Sequence, residues 1–98
     1  MATQFRNYKP RSKKEIKLVQ AFLTLKSTQE TLNFLRDLLT PKELEEFSRR
    51  LKIAQLLEST NLSYDAIAKK MRTSTTTVTR VALWLNNGCG GYKSVLRK

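Results

Sequence analysis

The sequence has no histidine, a single cysteine (Cys89), three glycines, two prolines and only eight acidic residues among 98. Without histidine, and with one thiol, it offers no zinc-ligand set and no Ser/His or Cys/His catalytic pair. No general base and no phosphate-cradling glycine loop is visible either, so neither enzyme activity nor a cofactor or metal is expected. One cysteine excludes a disulfide within the chain and fits a reducing compartment, so a cytoplasmic location is expected. Long hydrophobic runs are also missing. The longest, Val81-Ala82-Leu83-Trp84-Leu85, falls far short of a membrane span, and the basic N-terminus lacks the apolar stretch of a signal peptide.

Against the eight acids stand 19 Lys and Arg, a net charge of +11. That balance points to a polyanion as partner, with an anionic membrane surface as the weaker competitor. The apolar fraction of 40% is enough for a folded protein rather than a disordered polycation. The length suits one domain with a modest core, for which a partner subunit is a reasonable expectation. The charge is unevenly placed. Residues 1–17 carry net +5, residues 18–47 net −2 and residues 48–98 net +8, which suggests separate jobs for a basic tail, a middle segment and a basic second half.

Residues 1–11 mix polar and basic side chains with Pro10 and show no periodicity, so they read as a flexible basic arm. Residues 12–98 then form a single helical domain. Ser12-Lys13-Lys14-Glu15, Ser27-Thr28-Gln29-Glu30 and Thr40-Pro41-Lys42-Glu43 are capping boxes, in which the hydroxyl accepts from a first-turn amide and the Glu reaches back to the cap amide. Pro41 sits at the first helical position, where its missing N–H costs nothing. Behind the boxes, apolar residues recur at helical spacing: Ile16, Val19, Phe22 and Leu23; Leu32, Leu35 and Leu39; Leu44, Phe47, Leu51 and Ala54, with Ile53, Leu56 and Leu57 beside them. The third helix should run to about Ser59. The wide apolar faces of residues 12–59 suit a bundle that packs against a second subunit; an ordinary three-helix core is the alternative.

Ser63 caps a short helix through Met71, Arg72-Thr73-Ser74 breaks it, and Ser74 caps a longer one from Thr75 to about Asn87. Gly88-Cys89-Gly90-Gly91 stops that helix, and residues 92–98 can form a last short one. No strand-like alternation appears, so the fold class is all-α. Two short helices across a three-residue break form a helix-turn-helix over residues 63–87. Ile67, Met71, Val78 and Val81 face inward, Ala68 permits close approach, and Leu62 and Leu85 extend the core. Arg72 stands where the turn often has glycine, so its backbone needs a less comfortable left-handed conformation or a different turn. In this arrangement Thr75, Thr76, Thr77, Thr79 and Arg80 open the helix that meets base edges, while Lys69, Lys70 and Arg72 border it and neutralise phosphates. The alternative is a capped helix start with solvated lysines.

From about Leu38 onward the sequence resembles the Trp-repressor superfamily. The resemblance rests on LLTPKELEEFSRRLKIAQLL, LSYDAIAKK and TTTVTR; the ending WLNNGCGGY is similar to its YerC/YecD-type subgroup. It implies an intertwined all-helical homodimer that sets two helix-turn-helix units in successive major grooves of a palindromic operator in double-stranded DNA. By position, Thr75, Thr76 and Thr79 match groove-facing or base-contacting residues. Thr77 and Arg80 join Lys69, Lys70 and Arg72 as candidate phosphate contacts. The family's corepressor site maps to Leu39, Thr40, Arg50, Arg80, Val81 and Trp84 as a candidate effector pocket. Val81 stands where the family has glycine and Trp84 where it has serine, so the expectation is that one of them fills the pocket, excluding L-tryptophan and leaving any effector unassigned. The expected function is therefore a dimeric DNA-binding transcriptional repressor. A non-specific nucleic-acid module, binding RNA or DNA, is the alternative, but the second half has few aromatics for base stacking. Trp84 and Tyr92 read as packing aromatics, and Cys89 as lying in an exposed turn.

Overall fold

A computed structural model describes residues 5–98 as six helices: α1 (Lys13–Leu23), α2 (Thr28–Leu38), α3 (Pro41–Ser59), α4 (Tyr64–Met71), α5 (Thr75–Asn87) and α6 (Gly91–Leu96). Among the described residues there is no strand, and no helix is long and apolar enough to cross a membrane. The fold is all-α. The chain divides into two compact units, Tyr8–Glu46 and Phe47–Lys98, the latter joined by the described residues of the N-terminal segment.

In the first unit the helix starts follow from the caps. Ser12, Ser27 and Thr40 each accept a hydrogen bond from the amide three residues on, at 3.3, 3.1 and 3.1 Å. Only the third box is reciprocal in the expected way: Glu43 Oε1 accepts from the Thr40 amide at 2.9 Å. Glu15 and Glu30 instead reach one residue further back, to the amides of Arg11 (3.1 Å) and Lys26 (3.0 Å). A glutamate at the third helical position can span either amide, and each choice satisfies one donor. Tyr8 Oη donates to the same Glu15 oxygen at 2.7 Å, so this carboxylate also gathers the chain before α1. Residues 1–4 of the basic arm lie outside the described residues. Phe22 and Phe34 meet edge to face, with centroids 5.3 Å apart, and link α1 with α2. Neither α1 nor α2 buries a single residue, and Ile16, Leu18, Val19, Phe22 and Leu23 remain exposed.

The second unit holds the core. Ile53, Ala54 and Leu56 of α3 pack with Ile67 and Ala68 of α4 and Val78, Val81 and Leu85 of α5, and Leu57, Met71, Tyr92 and Leu96 close its margins. One expectation from periodicity needs correction. Leu62 is exposed, because it lies in the extended link before the Ser63 cap, where its amide donates to Thr60 Oγ1 at 3.3 Å. Phe47 and Leu51, on the same stripe as buried Ala54, are exposed in the single chain, on the face expected to pack against a second subunit. Between α4 and α5, Arg72 takes the left-handed conformation (φ 54°, ψ 48°). Its amide and that of Thr73 bond back to Lys69 O (3.3 Å) and Ala68 O (2.9 Å), so the helix end is satisfied by backbone alone. A residue with a Cβ costs roughly 1 kcal/mol in that conformation, which packing of the two helices offsets.

Candidate nucleic-acid interface

Helix geometry sorts the residues of α5 into two faces. Successive side chains turn by about 100°, so Val78, Val81, Ala82 and Leu85 fall on one side and are buried. Thr76, Thr79, Arg80 and Leu83 fall on the opposite side and are exposed, as is Thr75 at the helix start. Ser74 caps the helix by accepting from the Thr77 amide at 3.2 Å. Its hydroxyl also lies 3.1 Å from that of Thr77, which is only partly exposed. Thr77 is thus the one threonine of the four whose side chain is tied to the cap. Thr79 Oγ1 donates to Thr75 O at 2.8 Å.

The cations expected on this surface are present and uncompensated. Lys69 and Lys70 occupy the last turn of α4, where a positive charge suits the helix dipole, and Arg72 follows at the corner. The side chains of Lys69, Lys70, Arg72 and Arg80 are exposed. None has an ion pair or side-chain hydrogen bond among the described residues. Lys93 of α6 and Arg97, which caps its C-terminal end, behave differently. Lys93 and Arg97 both pair with Glu58 of α3, at 3.2 and 3.8 Å, and this clasp fixes α6 beside the core. The clasp was not anticipated from the sequence; the usable signal was one of only two acids in a basic half, answered by two cations one helical turn apart.

The six candidate effector residues are distributed over both units. Leu39 ends α2, its amide donating to Leu35 O, and Thr40 is occupied by its capping box with Glu43. Both lie in the first unit. Arg50, Arg80, Val81 and Trp84 lie in the second. The Arg50 guanidinium sits 5.5 Å from the centre of the Phe47 ring. Val81 is part of the core, so its side chain lines no open space. Trp84 is 60% exposed in the single chain, because α5 turns it away from the face that Val78 and Leu85 bury. Instead it forms one wall of an open apolar cavity of about 470 Å³, with Leu51, Tyr92, Val95 and the Gly88–Gly91 turn. Gly88 is obligatory there: a Cβ would lie 2.4 Å from the Trp84 carbonyl oxygen. Gly90 has φ +80°, and the Phe5 ring lies 3.2 Å from where its Cβ would be. Cys89 is exposed between them. Among the described residues no group of His, Cys, Asp or Glu could hold a metal.

The sequence model of the Trp repressor protein family matches residues 14–98. The chain is 34% identical over 88 residues to the uncharacterized protein YerC of Bacillus subtilis strain 168, covering 90% of this chain and 84% of that one. The crystal structure of a TrpR-like protein from Eubacterium eligens ATCC 27750 superposes with a TM-score of 0.82, at 34% identity, covering 89% of each chain.

Proposed function

The chain belongs to the Trp repressor family, and from that premise we propose that it is a sequence-specific DNA-binding regulator, a homodimer that represses by occluding a palindromic operator. One observation carries the reading: at the tightly packed α4–α5 corner, four uncompensated cations flank an outward face of threonines. Lys69, Lys70, Arg72 and Arg80 hold the phosphates, each neutralised phosphate steepening the log–log salt dependence by about 0.9. Thr75, Thr76 and Thr79 face base edges in the major groove, with Thr77 at the margin. The basic residues Arg6, Lys9, Arg11, Lys13, Lys14 and Lys17 add further phosphate contacts. Duplication of the head follows from the uncovered apolar faces of α1 and α2, which a second copy would bury.

The test is binding to a selected palindrome and to bulk DNA over a range of salt concentrations. Lys69→Ala weakens binding to both and lowers the salt slope by about one, whereas Thr79→Ala changes the preferred sequence. Equal weakening of every site by both substitutions would overturn base reading by α5. Binding to palindrome and bulk DNA with the same affinity would favour a non-specific nucleic-acid module instead.

L-tryptophan is not the effector in this reading. Val81, a β-branched residue, stands in the core where the family's ligand pocket has glycine. Calorimetry with L-tryptophan should give no heat of binding at micromolar concentrations; micromolar binding that tightened operator affinity would refute the exclusion.

A further inference from the structure

We propose that Thr79 is a reader of fixed polarity, recognising the exocyclic amine of adenine or cytosine and not the N7/O6 edge of guanine. The proposal rests on the reading of α5 as the groove-facing helix and adds what one of its residues selects. A threonine hydroxyl has one proton and two lone pairs. In Thr79 the proton is committed: Oγ1 donates to Thr75 O at 2.8 Å, the usual distance for a good O–H···O bond. The side chain is nevertheless exposed on the outward face. Its hydroxyl oxygen therefore keeps only lone pairs for a further partner, beside a methyl group.

The major groove offers that oxygen two kinds of edge. Adenine N6 and cytosine N4 donate, while guanine presents two acceptors, N7 and O6. An acceptor-only oxygen bonds to the first kind and meets the second lone pair to lone pair. To serve guanine it would have to give up its bond to the Thr75 carbonyl. The bond is local, four residues back along the same helix, so it forms with the helix and biases the hydroxyl towards accepting. The neighbouring threonines lack this restriction. The Thr75 and Thr76 hydroxyls have no hydrogen-bond partner among the described residues and can serve either edge, and Thr77 is held by Ser74.

The experiment uses duplexes selected from random DNA by the full wild-type chain. Adenine is then replaced position by position with purine, which lacks the N6 amine. Cytosine is replaced with 2-pyrimidinone, which lacks the N4 amine, and guanine with 7-deazaguanine, which lacks N7. Loss of the amine at one position per half-site should weaken wild-type binding about three- to tenfold. Thr79→Val, which keeps the shape and loses the oxygen, should be indifferent to that same replacement. Thr79→Ser, which keeps the oxygen, should retain the sensitivity, showing that the valine result reflects the lost acceptor and not lost folding. Whether the purine or the pyrimidinone arm responds identifies the base. A 7-deazaguanine effect present in wild type and absent in Thr79→Val would overturn the proposal, as would a valine variant with the full amine dependence of wild type. If the wild-type chain selects no sequence at all, the DNA-reading role of α5 falls, and this assignment with it. That result is distinct from a selected motif that Thr79→Val leaves untouched, which removes this assignment alone.

Discussion

Val78→Asp leaves a chain that no longer unfolds cooperatively and no longer binds DNA. Val78 is 0% exposed and packs among Ile53, Ile67 and Leu85, where no cation or polar side chain is buried to receive a carboxylate. Burying an unpaired charge costs several kcal/mol, and a domain of this size has about 5–15 kcal/mol in total. The expected loss exceeds about 5 kcal/mol, which equals the whole stability of a domain at the lower end of that range and removes most of its folded population. Thermal unfolding followed by circular dichroism is the measurement, with Thr79→Asp as control. One position along, the same charge lies on the exposed face of α5. That variant should melt close to wild type while losing DNA affinity through repulsion from the phosphates. A Val78→Asp protein with a sharp, near-wild-type melt would mean that α4 and α5 do not share the described core.

The second large effect tests whether the apolar faces of the first unit belong to a subunit interface. Leu23 is 79% exposed. If the chain acted alone, Leu23→Glu would change stability by less than about 0.5 kcal/mol, as surface substitutions do. If a second copy covers α1, the substitution places a charge in a desolvated contact and weakens dimerisation by about 2 kcal/mol or more, roughly thirtyfold. The expected result is the latter. Sedimentation at low micromolar concentration should show a shift from dimer to monomer, and affinity for a palindrome should fall with it while half-site affinity is retained. An unchanged mass and unchanged affinity would exclude Leu23 and the end of α1 from the interface.

These two variants mark the boundary between what the sequence discloses and what it withholds. Helix starts were legible because the signals are local: Ser12, Ser27, Thr40, Ser63 and Ser74 each act within three residues. The helix-turn-helix core was legible for a similar reason, since spacing alone puts Ile67, Ala68, Val78, Val81 and Leu85 on facing sides of two short helices. The left-handed Arg72 was foreseeable from its place in a three-residue break. Periodicity, however, identifies an apolar face without stating what covers it. Hence Leu62 was expected in the core and is exposed, and the cover for Phe47 and Leu51 is not written in their spacing. Trp84 shows the same limit: six residues after Val78 it lies off the face of that residue, and spacing does not say what covers it. The polarity of Thr79 was out of reach without coordinates, because a hydroxyl beside a helix carbonyl is a matter of rotation about one bond.

The placement of Trp84 also gives the protein an intrinsic optical probe. It is the chain's sole tryptophan, and its ring stands on the open wall of the cavity beside Tyr92 and Val95. Excited at the red edge of protein absorption, the chain therefore has a single emitter, solvated and accessible to aqueous quenchers. Any molecule or second chain settling on that wall strips water from the indole, so emission shifts to the blue and collisional quenching declines. Emission that stays unchanged while DNA binds at the far, threonine end of α5 would show that occupancy of the groove and occupancy of the cavity are separate events, distinguishable in one cuvette without a label.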